Sequence, residues 1–135
     1  MALAFGLGMD LDDFTAEQLM TKNPASIRIT ATGRRALALL HELDVRHLPV
    51  LNEDNELVGM LSDRDFARTT NLDGPVADLM SSDVLSLTLD SELTDILELM
   101  LTHKVGALPV TDGDNALVGI VSYIDVLREL HKSLK

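Results

Sequence analysis

The sequence predicts an α+β fold made of two similar halves that pack against each other about a pseudo-twofold axis. The first observation is a repeat, because the stretch Gly59 to Asp65 (GMLSDRD) returns 60 positions later as Gly119 to Asp125 (GIVSYID). The second is that each copy combines short alternating apolar runs, typical of strands, with apolar residues at helical spacing. The third is that two copies are too few for a repeat array. Two halves sharing one core explain all three observations.

The composition is that of a soluble, acidic, globular protein. The 135 residues are 46% hydrophobic and 24% charged, and only 3% are aromatic, so aliphatic side chains and Met must fill the core. The net charge of −11 argues against nucleic acid and anionic membranes as partners, since proteins that bind them carry basic faces. There is no cysteine, which excludes disulfides and thiolate zinc sites and fits a reducing compartment.

Residues 1–13 are predicted to form an N-terminal arm. The apolar stretch up to Met9 is too short to span a membrane, has no basic leader and meets Asp10 at once, unlike a signal peptide. We therefore expect a cytoplasmic protein.

The first copy, residues 14–72, opens with a short helix and a strand. Thr15 and Gln18 have the spacing of a capping box, which predicts a helix over residues 16–20. Ile27 and Ile29 alternate with polar residues, the pattern of a short, half-buried strand.

A longer helix and a hairpin follow in the first copy. Thr30 or Thr32 could cap the helix, whose apolar stripe consists of Ala36, Leu37, Leu40 and Leu43. The apolar runs 47–51 and 57–61 flank a polar turn, which predicts a β-hairpin. Pro49 implies an edge position or a strand start for the first run. A helix from residue 62 to about residue 70 closes the copy.

The second copy, residues 73–135, repeats this order without a gap. Residues that recur at the same offset of 60 include Leu19-Met20, Leu48-Pro49-Val50, Leu57-Val58-Gly59, Ser62, Asp65 and Arg68. Each copy is thus predicted to run short helix, strand, helix, strand, strand, helix. Each hairpin and each Leu-rich helix would expose an apolar face alone, so the halves should pack as one unit.

A Ser and an Asp three residues apart open the last helix of each copy. The Ser hydroxyl at a helix start lies beside unpaired backbone N–H groups, which suits a phosphate, and the Asp can accept hydrogen bonds from vicinal sugar hydroxyls. The same spacing also fits a capping box, so a purely structural role stays open for Ser62 with Asp65 and for Ser122 with Asp125.

The chain resembles a tandem pair of CBS domains, also called a Bateman module, of the stand-alone kind. The resemblance covers roughly residues 14–133 and rests on order, spacing and duplication. It is carried by Met20, the strand containing Ile27, His47 to Val50, Leu57 to Asp65, Met80, Leu85 to Leu89, Ala107 to Val110, and Leu117 to Asp125.

This resemblance implies a β-α-β-β-α motif in each half, paired through the sheets, with two clefts. It implies a regulatory module without catalytic activity that binds AMP, ADP or ATP, with S-adenosylmethionine as a further candidate. It also implies a homodimer that regulates an unknown protein.

The resemblance also implies the residues of each cleft, with Asp65 and Asp125 on the ribose and Ser62 and Ser122 near the phosphates. Segments 21–25 and 45–49 would flank the base in the first cleft, and segments 81–85 and 105–109 in the second. The first cleft comprises Lys22, Asn23, Ala25, Arg46, His47, Leu48, Pro49, Ser62, Arg64 and Asp65. The second comprises Asp83, Leu85, Gly106, Ala107, Pro109, Ser122, Tyr123 and Asp125.

The two clefts should differ in charge. Arg64 can pair with a phosphate, and Ile124 occupies the matching position of the second copy. We therefore expect a phosphorylated nucleotide in the first cleft. The second should be empty, weaker, or occupied by a less charged adenosine compound.

Other readings of the sequence remain. No nucleophile–base pair is visible, no His has a partner at metal-ligand spacing, and residues 112–115 lack the closing Glu of a calcium loop, so we expect neither an enzyme nor a metal site. The alternative function is a structural or oligomerisation subunit with vestigial clefts. An apolar stripe on the last helix predicts an isologous homodimer and consists of Val126, Leu127, Leu130 and Leu134.

Overall fold

The computed structural model describes residues 14–134, so the predicted N-terminal arm over residues 1–13 lies outside the described residues. The chain forms two compact units, each with its own core. Among the described residues, the first unit is Ala25–Val84, and the second combines residues 14–24 with residues 85–134. Both mix helices with a small sheet, as the α+β prediction requires. No helix within residues 14–134 is long and apolar enough to cross a membrane.

The helices and strands follow the predicted order closely. In chain order they are α1 (Ala16–Leu19), β1 (Thr21–Lys22), β2 (Ile27–Arg28), α2 (Gly33–Leu43), β3 (His47–Leu51), β4 (Leu57–Ser62), two 3-10 helices (Asp63–Arg68 and Val76–Asp78), α3 (Leu93–His103), β5 (Ala107–Thr111), β6 (Leu117–Ser122) and α4 (Tyr123–Ser133). The predicted capping box at Thr15 is present, because its N–H donates to Gln18 Oε1 at 2.9 Å. Thr32 caps α2 by accepting from the N–H of Arg35 at 3.1 Å.

Each unit contains one of the predicted hairpins. In the first unit, β3 runs antiparallel to β4 and parallel to β2, and His47 lies opposite Ser62. In the second unit, β5 runs antiparallel to β6, and Ala107 lies opposite Ser122. In both hairpins, therefore, the Ser that ends the second strand lies opposite the first residue of the strand that contains Leu-Pro-Val.

The units do not divide the chain where the repeat does. The repeat places a boundary between residues 72 and 73, whereas the units divide after Pro24 and after Val84. The reason is strand pairing: β1 lies antiparallel to β6, and Met60 in β4 forms a bridge with Ser81. The opening segment of each copy thus joins the sheet that holds the hairpin of the other copy.

Where the opening segment of one copy joins the sheet of the other, a Met packs closely against a Gly. A Cβ built on Gly119 in β6 would overlap the sulfur of Met20, and one built on Gly59 in β4 would overlap the sulfur of Met80. Each Met follows a short helix and lies over the glycine of the strand that its own segment joins.

The core of each unit is aliphatic, as the composition predicts. In the first unit it consists of Ile27, Ala36, Leu40, Leu48, Val50, Leu61 and Val76. In the second it consists of Ala16, Leu19, Leu87, Leu93, Ile96, Met100, Leu108, Val110, Val121 and Val126.

The helix expected over residues 62–70 is wrong in type and length, because the structure has a six-residue 3-10 helix, Asp63–Arg68. Turn chemistry just beyond it explains the early end. The N–H of Asn71 donates to Thr69 Oγ1 at 3.1 Å, and the N–H of Asp73 donates to Asn71 Oδ1 at 3.1 Å. Such local side-chain bonds offer the backbone an alternative to a helix.

Two strand predictions also differ from the structure. The strand expected in the second copy over residues 85–89 is reduced to one bridge, between Leu87 and Val110. Pro49 is neither at an edge nor at a strand start, since it is the third residue of the central strand β3. The neighbouring β2 pairs only with Val50 and Leu51, so a missing N–H at Pro49 costs little in the ladder.

Candidate functional site

The first candidate site lies where β4 ends and the 3-10 helix Asp63–Arg68 begins. Ser62 is the last residue of β4, and its N–H donates to Asp65 Oδ2 at 2.7 Å. Its hydroxyl lies 3.4 Å from the same oxygen, a long contact. The capping role that the spacing allowed is therefore real, but it uses only one oxygen of Asp65. Within residues 14–134 no hydrogen bond or ion pair engages Asp65 Oδ1, which leaves it available to a ligand.

Side chains of both charges lie near His47 at this site. The N–H of Asp63 donates to the carbonyl of Arg46 at 3.1 Å, which fixes the start of the 3-10 helix against the start of β3. His47 is half-buried, whereas Arg46 and Arg64 are exposed. Burial lowers the pKa of His47, Asp63 opposes this, and the charges of Arg46 and Arg64 add to the lowering. The site therefore combines a carboxylate acceptor, two exposed guanidinium groups and an imidazole whose neutral form is favoured by burial.

The second candidate site lies at the corresponding junction of β6 and α4. The N–H and the hydroxyl of Ser122 donate to Asp125 Oδ2 at 2.8 Å and 3.0 Å. The hydroxyl also accepts from the N–H of Asp125 at 3.3 Å. Asp125 Oδ1 accepts from Arg128 Nη1 at 3.2 Å. All polar atoms of this Ser–Asp pair are thus already engaged within the chain.

The surroundings of the second site are less charged. The N–H of Tyr123 donates to the carbonyl of Gly106 at 3.0 Å, the counterpart of the Asp63 to Arg46 bond. Ala107, opposite Ser122, is buried, and the side chains of Tyr123 and Ile124 are exposed. The positions that Arg46 and Arg64 occupy at the first site are thus taken by Gly106 and Ile124 at the second.

Several assigned residues belong to a different unit from the other members of their predicted group. Lys22 lies opposite Gly119, and the N–H of Asn23 donates to the carbonyl of Val118 at 3.3 Å, so both belong to the second unit. Ala25 is in the first unit with Arg46 and His47. Strand pairing thus places residues 22 and 23 beside β6, and their assignment to the first site, which followed from the family resemblance, stays a prediction.

The second group divides in the same way. Asp83 is exposed and belongs to the first unit, whereas Leu85 packs against the core of the second unit. The segment that precedes Asp83 is attached to β4 through two backbone hydrogen bonds of 3.0 Å between Met60 and Ser81.

Three assigned residues have no side-chain surface to offer a ligand. Leu48 is fully buried in the core of the first unit, and Pro49 and Pro109 are fully buried as well. Their backbone remains the part that could face a ligand. The side chain of Leu48 packs in the core, so its predicted place in the site concerns its backbone.

Sequence reasoning missed Arg128 as a partner of Asp125. The signal was available, because an Asp and an Arg three residues apart on a helix lie on the same face. The same spacing occurs at Asp65 and Arg68, where the described residues show no ion pair, so spacing alone does not decide the contact. Elsewhere in residues 14–134 no group of three or more His, Asp or Glu side chains could hold a metal ion.

A family model described as "CBS domain" matches the chain twice, over residues 16–70 and 76–132. The CBS domain-containing protein YhcV of Bacillus subtilis is 34% identical over 117 residues, a match that covers 83% of this chain and 82% of YhcV. Homoserine O-acetyltransferase of Methanocorpusculum labreanum is 33% identical over 121 residues. That match covers 89% of this chain but only 25% of the acetyltransferase, so the chain spans about a quarter of that relative.

Solved structures resemble the whole described fold. CBSX2 in complex with AMP superposes with a TM-score of 0.81 at 27% identity, covering 90% of this chain and 99% of CBSX2. The cytosolic domain of the Mg²⁺ channel MgtE in complex with ATP gives a TM-score of 0.77 at 29% identity, covering 88% of this chain and 50% of that domain. The CBS domain pair of protein MJ0100, in complex with 5-methylthioadenosine and S-adenosyl-L-methionine, gives 0.82 at 22% identity over 88% of this chain and 97% of that pair, a likeness of fold.

Proposed function

This chain belongs to the CBS domain family, and on that premise we propose that it is a non-catalytic regulatory module that binds an adenosine nucleotide. The observation that supports this most is the first site, where Asp65 keeps one carboxylate oxygen unengaged within the described residues while Arg46 and Arg64 are exposed nearby. That combination suits a ligand with vicinal hydroxyls at one end and a negative charge at the other.

The roles of the residues follow from their chemistry. Asp65 Oδ1 accepts hydrogen bonds from the ribose hydroxyls. Arg64 is close enough in sequence to Ser62 for its guanidinium to pair with a phosphate bound at the Ser62 hydroxyl, in bidentate fashion. A phosphorylated ligand fits the first site better than the second, because Ile124 replaces Arg64 there.

The likeness to CBSX2 with AMP and to MgtE with ATP supports an adenosine nucleotide as the ligand class. The choice among AMP, ADP and ATP is left to titration. Occupancy of the first site would then alter how the module acts on a regulated protein.

Calorimetric titration of the purified chain with AMP and with ATP tests this function. The Asp65→Asn variant can still accept the Ser62 N–H bond but loses the carboxylate charge, so it is expected to lose most nucleotide affinity. The matched Asp125→Asn variant should retain the stronger binding event. Equal losses in the two variants would contradict the asymmetry, and no binding of either nucleotide to the unmutated chain would contradict the function itself.

A second function, oligomerisation, is supported by a separate observation. Ile124, Leu127 and Leu134 of the α4 segment are exposed by 45%, 55% and 65%. We infer a homodimer that buries this face, which is compatible with nucleotide binding. It becomes the main function only if the chain binds no nucleotide and still dimerises.

A further inference from the structure

The two sites differ in whether the second carboxylate oxygen of their Asp, the proposed acceptor for a ribose hydroxyl, already accepts a hydrogen bond from another residue of the chain. At the second site the guanidinium of Arg128 lies 3.2 Å from Asp125 Oδ1. The side chain of Asp125 is 11% exposed and that of Arg128 is 58% exposed, so the pair joins a largely buried carboxylate to an exposed cation. With Oδ2 held by Ser122, no oxygen of Asp125 is left without a partner.

At the first site the same sequence position holds an Arg that does not form this contact. Arg68 lies 60 residues before Arg128 and is exposed at the end of the 3-10 helix. Within the described residues it makes no ion pair with Asp65. A ligand hydroxyl would thus meet an oxygen without a partner in the described residues at Asp65, whereas at Asp125 it would compete for an oxygen that already accepts from a cation.

We propose that Arg128 acts as an internal competitor that occupies Asp125 and weakens binding of a ribose at the second site. The proposal rests on the proposed function and adds a regulation of the second site. Arg128 is a positioning residue here, because it acts through Asp125.

The competition has two measurable consequences. Removal of Arg128 should raise the affinity of the second site for a ribose by about two- to fivefold, the range expected from breaking an exposed ion pair. Salt should have the same effect, because it screens the ion pair between Asp125 and Arg128. An uncharged ligand isolates both effects, since its own binding has no phosphate contribution that salt would weaken.

Adenosine is therefore the probe, used with the full chain carrying Asp65→Asn so that the second site is observed alone. Adenosine affinity is measured by NMR chemical-shift titration, following the Asp125 and Tyr123 amide signals, at about 50 mM and about 500 mM salt. With Arg128 present, affinity should rise as salt is added. With Arg128→Gln added, affinity should start about two- to fivefold higher and show no such rise.

Arg68→Gln in the Asp125→Asn background is the matched control, and it should leave adenosine affinity at the first site unchanged at both salt concentrations. An Arg128→Gln variant with unchanged or lower affinity, or without any detectable adenosine binding, overturns the proposed competition. Binding of AMP to the unmutated chain that is lost in Asp65→Asn would still support the proposed function in that case. Absence of AMP binding throughout would count against both.

Discussion

At the scale of single residues, the surroundings of His47 in the first site lower the pKa of its side chain. Burial lowers the pKa of its imidazole from the ordinary value of 6.5; Asp63 opposes the shift, Arg46 and Arg64 add to it, and Asp65 opposes it. The unfolded chain, without this burial, binds the proton more readily. Folding stability from this residue is therefore fully present above pH 6.5 and is lost as the pH falls through the lowered pKa of the folded state.

Replacing His47 with Gln should remove this part of the pH dependence. We expect the free energy of unfolding of the unmutated chain to fall more steeply between about pH 7.5 and about pH 5 than that of His47→Gln. Urea denaturation at several pH values measures both slopes. Thr102→Gln, at an exposed position of α3, controls for the substitution itself and should keep the slope of the unmutated chain. Identical slopes for His47→Gln and the unmutated chain would contradict the role given to burial.

At the scale of elements, the hairpins were predictable because their information is local. Each turn is closed by one side chain at its start: Asn52 Oδ1 accepts from the N–H groups of Asp54 and Glu56 at 2.9 Å each. Asp112 does the same in the second hairpin, which is why residues 112–115 form a turn. Such bonds span two to four residues, so a sequence pattern can reveal them.

The partner of β1 was not predictable from the same kind of information. Only two residues, Thr21 and Lys22, form this strand, and both are exposed, so no apolar alternation reports its register. Its position depends on the contact of Met20 with Gly119, nearly a hundred residues away in the chain. The sequence repeat showed both residues but not which copy of the glycine each Met would cover.

Adding a methyl group to the β6 glycine tests this contact. A Cβ at Gly119 would lie 2.8 Å from Cγ and 3.0 Å from Cβ of Met20, so the backbone of the β1 segment would have to move. We expect Gly119→Ala to cost about 1–3 kcal/mol of stability, as for an overpacked core, measured by urea denaturation. Gly59→Ala should cost less, because the nearest Met80 atoms belong to the flexible part of its side chain.

The control for this prediction is Gly113→Ala, since a Cβ there meets nothing within 4 Å. It should change stability by less than about 0.5 kcal/mol. Met20→Ala combined with Gly119→Ala should lose less stability than the sum of the two single changes, because the residues are in contact. Additive effects would show that Met20 does not oppose the new methyl group.

At the scale of the whole molecule, the two copies of the sequence repeat end in helices of different type and length. The first copy closes with a six-residue 3-10 helix, whereas the second closes with the eleven-residue α4. The longer helix follows from its sequence, since Glu129, Leu130 and His131 continue it where the first copy has Thr69, Thr70 and Asn71. The repeat predicted the shared architecture, and the divergence after Arg68 and Arg128 is where the copies acquire separate properties.

The extra length of α4 provides the surface on which self-association should depend. Ile124, Leu127 and Leu134 recur at spacings of three and seven, so they lie on one helical face, and Val126 on another face is buried in the core of the second unit. An isologous contact uses each residue twice, and burying a Leu is worth about 1.5–3 kcal/mol.

Leu127→Asp is therefore expected to raise the dimer Kd by about a hundredfold or more. Size-exclusion chromatography with light scattering across a dilution series measures it, and Thr102→Asp, on an exposed position of α3, should leave the mass unchanged. A monomeric unmutated chain, or a dimer insensitive to Leu127→Asp, would place this face outside any self-contact.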